Sequence, residues 1–162
     1  MAEILKAEPG YVPALMVEAV GAERQANLAV AEADYEKILE RYPDFSPVQR
    51  QLAILYSRET AKAGRAYTLA VKARETFPAD PALTKAVGLI WLQQGDAAHA
   101  VKQLTDAAAL AGTDAETYFY LGTAQFQLKN RAECKAALQQ ALALQLAPAQ
   151  ATAAHQMLDK LK

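Results

Sequence analysis

An all-α fold built from stacked helical hairpins is what this 162-residue sequence predicts, and three observations predict it. Apolar residues recur at three- and four-residue steps, the period of an amphipathic helix, and no stretch alternates for long enough to suggest a strand. The chain is rich in Ala, Leu, Gln, Glu and Lys, and its seven Pro and seven Gly lie mostly at the ends of the helical stretches. One arrangement of large and small residues also returns at steps of about 34 residues, the signature of a repeat architecture.

Taken in order, residues 1–11 read as the remnant of an upstream repeat, with Ile4, Leu5 and Pro9 where a second helix would end. That reading makes the chain a fragment of something longer. In residues 12–45 the second helix is clear, with Asn27 as its cap and Ala31, Tyr35 and Ile38 on its apolar stripe before Pro43. The first helix supplies the small Ala19, but Glu18 and Ala22 stand where large apolar residues are expected.

Residues 46–80 carry Leu52, Ala53 and Tyr56 on the first helix and Ala66, Ala70 and Ala73 on the second. Their spacing needs one extra residue, which is expected in the turn around Ala61 to Gly64, where an insertion costs least. Ser46-Pro47 and Asp80-Pro81 read as a capping residue followed by Pro in the first helical turn.

Residues 81–114 repeat the pattern with Val87, Gly88 and Trp91, a turn at Gly95-Asp96, then Ala100, Leu104 and Ala107, and Gly112 as the helix stop. Residues 115–148 repeat it again with Tyr118, Leu121, Gly122 and Gln125, then Cys134, Leu138 and Ala141, closing at Pro148. Asn130 and Glu133 are spaced as a capping box for the second helix of that pair. Gly122 and Cys134 are small enough to let the paired helices approach closely, while Tyr118, Leu121, Leu138 and Leu142 fill the space around that contact. In residues 149–162, Ala154, Met157, Leu158 and Leu161 form one helical stripe opposite Gln150, Gln156, Asp159 and Lys160.

The sequence 115–148 resembles a tetratricopeptide repeat, and residues 81–114 match that pattern more closely still. The resemblance implies a right-handed α-solenoid of four helix-turn-helix repeats, a single domain over residues 1–162, with residues 149–162 as a C-terminal capping helix. It also implies a noncatalytic protein-protein interaction scaffold that binds a peptide or partner helix in a concave groove lined by the first helix of each repeat. The groove positions carried over onto this sequence are Met16, Val20, Glu23 and Arg24; Arg50, Gln51, Ile54, Ser57 and Arg58; Lys85, Leu89, Leu92 and Gln93; and Phe119, Tyr120, Thr123, Phe126 and Gln127.

Of these, Met16, Val20, Arg50, Ile54, Arg58, Lys85, Leu89, Leu92, Phe119, Thr123 and Phe126 are the expected partner-binding residues. The apolar members are either anchors for a partner or packing between neighbouring first helices, with Phe119 and Phe126 the expected exposed pair. Arg50, Arg58 and Lys85 would favour a ligand with an acidic group. The resemblance carries one exclusion as well. Repeats that grip the acidic tails of heat-shock chaperones use a Lys and Asn clamp, and here those places hold Met16, Val20, Gln51, Ala82 and Ala86 in one register. In the other they hold Arg50, Ile54, Ala86, Glu116 and Tyr120, so neither register supplies the clamp.

Composition narrows the remaining classes. A formal net charge of -1, with Lys and Arg interspersed among Asp and Glu, argues against a nucleic-acid surface and against the base-reading repeats of similar period. No apolar run approaches 18 residues, so direct membrane insertion is not expected. The one Cys, Cys134, falls where a small buried residue is wanted, and no internal disulfide can form. His99 and His155 lie in separate repeats without ligand spacing, so no metal is expected. No phosphate-binding glycine loop or nucleophile elbow occurs, and no cofactor or catalytic residue is expected.

Two alternatives accompany the scaffold reading. One is a docking or spacer arm of a larger bacterial enzyme, such as a glycosyltransferase, or of an envelope assembly or secretion protein, motivated by residues 1–9 and by the Ala- and Gln-rich composition. The other is self-association through the open N-terminal edge around Ile4 and Leu5. Cytoplasm and bacterial periplasm are both compatible with the sequence, since a targeting segment would lie upstream.

Overall fold

In a computed structural model, which describes Glu8 and residues 10–161, every regular element among the described residues is helical. The elements are α1 (Val12–Arg24), α2 (Leu28–Arg41), α3 (Ser46–Tyr56), a 3-10 turn (Thr60–Lys62), α4 (Ala63–Thr76), α5 (Pro81–Gln93), α6 (Ala97–Leu110), α7 (Ala115–Gln127), α8 (Arg131–Ala143) and α9 (Pro148–Asp159). Ile4, Leu5 and Pro9 lie outside the described residues. The chain divides into two compact units, Met1–Pro78 and Ala79–Lys162.

In the first unit α1 pairs with α2 and α3 with α4. The core is made of small and branched residues, with Leu15, Ala19, Ala31, Tyr35, Ile38, Leu52, Ala53, Ala66 and Ala70 all essentially buried. Glu18 is exposed and Leu15, one turn earlier, supplies the bulk that Glu18 cannot. The extra residue of the second repeat is absorbed by the 3-10 turn at Thr60–Lys62, overlapping the expected turn.

In the second unit α5 pairs with α6 and α7 with α8, and α9 closes the stack. A Cβ added at Gly122 would lie 2.6 Å from Cδ2 of Leu138, and one at Gly88 would lie 2.7 Å from Cγ of Leu104. Each glycine therefore admits a fully buried leucine of the partner helix. At Gly122 the space left by the glycine is filled by Leu138, one of the residues expected to fill it. Cys134 is buried in a cluster with Leu138 and Ala154, against which Leu142, Leu146, Met157, Leu158 and Leu161 pack. The α9 stripe read from the sequence is the stripe that faces this cluster.

The first helices of the four pairs end by one rule with one exception. Ala26, Gly95 and Lys129, equivalent residues of three repeats, all take positive φ, at 57°, 80° and 61°. In each, the next N–H reaches back to a carbonyl of the first helix: Asn27 to Ala22 at 2.8 Å, Asp96 to Trp91 at 2.9 Å, Asn130 to Gln125 at 3.0 Å. This is the Schellman closure of a helix C-terminus, and it sets the sharp turn into the second helix. The second repeat, with its extra residue, uses the 3-10 turn instead.

Caps divide similarly. Asp80 Oδ1 accepts from the Leu83 N–H at 2.7 Å, and Asp96 caps α6 through His99 N–H at 3.1 Å. The expected cap at Ser46 and the capping box at Asn130 do not form. The Ser46 hydroxyl accepts from Thr76 Oγ1, and Asn130 Nδ2 donates to Gln125 Oε1 at 2.8 Å.

Candidate interaction surfaces

The first helices of each unit are drawn together by polar contacts between their equivalent faces. In the first unit Gln51 Nε2 on α3 donates to Glu23 Oε1 on α1 at 3.3 Å, and Arg50 Nη1 donates to Gln51 Oε1 at 2.5 Å. Beneath them Tyr35 is fully buried, and its phenol is held above its ordinary range by burial and then by the Glu23 carboxylate. Met16, Val20 and Ile54 are half-buried, Arg58 is exposed, and Ser57 is buried with its hydroxyl on the Ile54 carbonyl at 2.7 Å. Met16, Val20 and Ile54 thus give this face partly accessible apolar area, and Arg58 gives it charge.

In the second unit the polar contacts form a longer chain. Lys85 Nζ on α5 reaches Asp114 Oδ2 at 2.9 Å and Glu116 Oε2 at 2.8 Å, both at the start of α7. Asp114 also caps α7 through the Glu116 N–H and accepts from Thr117 Oγ1 at 2.7 Å. Glu116 in turn accepts from Gln150 Nε2 of α9 at 3.5 Å. Burial works against the charge on Lys85, but the two carboxylates more than offset it and its pKa is raised. Burial likewise opposes ionisation of Asp114, and the hydrogen bonds from Lys85 and Thr117 overcome it, so its pKa falls. Lys85 is already matched by two carboxylates and does not supply the open positive charge expected of it.

The apolar members here are more enclosed than the sequence suggested. Leu89 is only 5% exposed. Leu92 packs on the cluster of Ala100, Leu104 and Ala124, with Trp91, Tyr120 and Leu121 around it. Phe119 and Phe126, expected as exposed anchors, are partly buried against the Cys134, Leu138 and Ala154 cluster, because the apolar stripe of α9 is available to cover them. Phe119 also meets Tyr120 edge-on at 5.4 Å between ring centroids, and Thr123 Oγ1 is spent on the Phe119 carbonyl at 2.9 Å.

One constellation escaped the sequence reading. Tyr56 Oη donates to Glu36 Oε1 at 2.5 Å, Arg65 pairs with the other oxygen of Glu36, and Lys62 pairs with Glu32 at 2.5 Å and Glu59 at 3.0 Å. Lys62 Nζ also stands 4.6 Å above the Tyr56 ring. The network ties α2 to the 3-10 turn that holds the inserted residue. Its bonds to Glu32 and Glu36 join residues 20 to 30 apart, so no local spacing announces them.

His99 Nδ1 lies 2.7 Å from Asp96 Oδ2 and its ring is 5.0 Å from that of Trp91. The Asp96 carboxyl is held below its usual range by the His99 backbone N–H and then by the imidazole. Cys134 is buried, and burial pushes its thiol up, the opposite of an activated nucleophile. Among the described residues no group of three or more His, Cys, Asp or Glu could hold a metal, and no helix is long and apolar enough to cross a membrane.

Paired helices with small residues at their crossings, three of the pairs turned by Schellman closures, and a final helix over the last pair define a helical repeat protein. The chain is 31% identical over 105 residues to a TPR repeat-containing protein of Pseudomonas aeruginosa, a match covering 65% of this chain and 18% of that one. It therefore spans under a fifth of the length of this curated relative. Among solved structures it is similar to the APC/C component in the Cut9-Hcn1 hetero-tetramer, with a TM-score of 0.78, 18% identity, and 99% of this chain and 31% of that chain covered. It is also similar to PilW, a type IV pilus biogenesis factor, with a TM-score of 0.75, 14% identity, and 99% and 79% covered. No family model matches the sequence. These likenesses give the helical pairs the fold of tetratricopeptide repeats.

Proposed function

We propose that this chain is a noncatalytic scaffold that holds a peptide segment or partner helix along the faces of its first helices. The observation that carries this reading is the alignment of those faces by Gln51 with Glu23 in one unit and by Lys85 with Glu116 and Gln150 in the other. Such contacts leave a row of fixed side chains on one side of each unit. In the first unit Met16, Val20 and Ile54 give that row apolar area and Arg58 gives it charge, the combination that supports peptide recognition. Raised thiol pKa and neutralised cations favour binding over chemistry.

A pull-down from a bacterial lysate tests the reading, using wild-type chain beside an Ile54→Glu variant shown by circular dichroism to be folded. A partner retained by the first bait and lost by the second supports it. Equal capture by both places the binding surface elsewhere.

A second reading is a docking or spacer arm of a longer bacterial protein. The span of 18% of the relative's length favours it, together with the likeness to a pilus biogenesis factor. Immunoblotting cells for the native polypeptide separates the two: a band far above 17.5 kDa supports the arm.

A further inference from the structure

At the end of the second unit, the last residues of α7, the turn after it, the first residue of α8 and the end of α9 enclose an open cavity of about 550 Å³. Its lining is Phe126, Gln127, Lys129, Arg131, Lys160 and Leu161. Two are apolar, three are cations, and none is a carboxylate. From this we infer that the cavity is a docking site for a partner segment in which an apolar side chain is flanked by carboxylates.

Each wall is held in place by a contact already described or close to it. Phe126 is fixed by packing on the Cys134, Leu138 and Ala154 cluster, and Leu161 packs on the same cluster. Arg131 Nη2 donates to the Leu161 carbonyl at 2.9 Å, which joins the start of α8 to the end of α9. That bond uses one of five guanidinium N–H donors and leaves others for a carboxylate. Lys129 is carried on the Schellman turn at φ 61°, and Lys160 is the residue that ends α9. Both lysines are exposed, and among the described residues neither has an ion pair.

Charge complementarity selects the occupant. The chain carries 17 Lys and Arg against 18 Asp and Glu, so three cations lining one cavity without an acid is a local excess and not the general tone of the surface. In the first-helix faces the reverse holds, since Lys85 is answered by two carboxylates. The apolar floor of Phe126 and Leu161 argues for a side chain between the charges, and a bare phosphate would leave that floor wet. An acidic segment gains charge-assisted hydrogen bonds at the rim and buries its apolar residue on the floor.

This proposal rests on the scaffold reading and names a partner chemistry for one corner of it. The test is a titration of the isotopically labelled chain with the peptide Glu-Asp-Leu-Phe-Glu-Asp, followed by amide shifts, alongside Lys129→Gln/Lys160→Gln. The expected result is a set of shifts confined to Gln127 through Arg131 and Lys160 to Leu161, with affinity falling about tenfold in the double variant and further as salt is raised. A Lys-for-Glu version of the peptide should not bind. Shifts on the first-helix faces of α5 and α7 instead would overturn this site and leave the scaffold reading standing. Full displacement by millimolar inorganic phosphate would overturn it too, as would unchanged affinity in the folded double variant or no binding at all. The scaffold reading is tested apart from these outcomes, by the Ile54→Glu pull-down.

Discussion

Lys85 and Glu116, thirty-one residues apart, meet at 2.8 Å across two neighbouring first helices, with Asp114 on the other side of the same ammonium. The contact fixes how α5 and α7 stand against each other at their N-terminal ends. It also makes the stability of this unit depend on pH in a definite direction.

Asp114 has a lowered pKa in the folded chain, so its contribution is present above the ordinary carboxylate range and is lost as pH falls through the folded value. Lys85 has a raised pKa, so its contribution is full below the ordinary lysine range and is lost as pH rises through the folded value. Lys85→Met should therefore lower stability by about 1–3 kcal/mol at neutral pH, the worth of hydrogen bonds to charged groups. The gap between variant and wild type should narrow as pH falls below the ordinary Asp range towards the lowered Asp114 value. Urea unfolding followed by circular dichroism at pH 7 and pH 3 measures the gap, and an equal gap at both would contradict the assignment.

The helical glycines divide by what a methyl group would meet. Gly122→Ala pushes a carbon into Leu138 and should destabilise by about 1–2 kcal/mol, the overpacking cost less the gain in helix propensity. Gly21→Ala, with nothing within 4 Å of the added carbon, should stabilise by about 0.5–1 kcal/mol. Chemical denaturation of the two variants should move the midpoint in opposite directions. The double variant Gly122→Ala/Leu138→Ala should show favourable coupling relative to the sum of its singles.

Left-handed turns offer a second pair of opposite signs. Ala26 adopts φ 57° at the place where Gly95 adopts 80°. Replacing Ala26 by Gly should raise stability by up to about 1 kcal/mol, and replacing Gly95 by Ala should lower it by a similar amount. Thermal melts of the two variants read the difference directly.

The hairpin order was legible because repeat spacing is a local signal carried by residue size. Glycine at 88 and 122, alanine at 53 and 19, and the aspartate and proline at 80 and 81 each imposed a local constraint that the structure keeps. What was not legible involved choices among partners. Asn130 and Ser46 had correct sequence neighbours for capping, yet Gln125 and Thr76 claimed their side chains. Lys85 read as a free cation because Asp114 and Glu116 belong to the next repeat. Ala26 and Lys129 take a conformation that only Gly95 advertises in the sequence. Phe119 and Phe126 looked like anchors because nothing in their own helix shows that α9 lies over them.

The central claim is that partners engage the first helices, and site-specific photo-cross-linking in bacterial cells tests it most directly. A photoreactive phenylalanine analogue at Ile54, on α3, is compared with one at Val71, an exposed residue of α4 that is 48% accessible. The account predicts a discrete covalent adduct from position 54 and none from position 71. Adducts from position 71 alone would contradict it and move the interaction surface to the second helices.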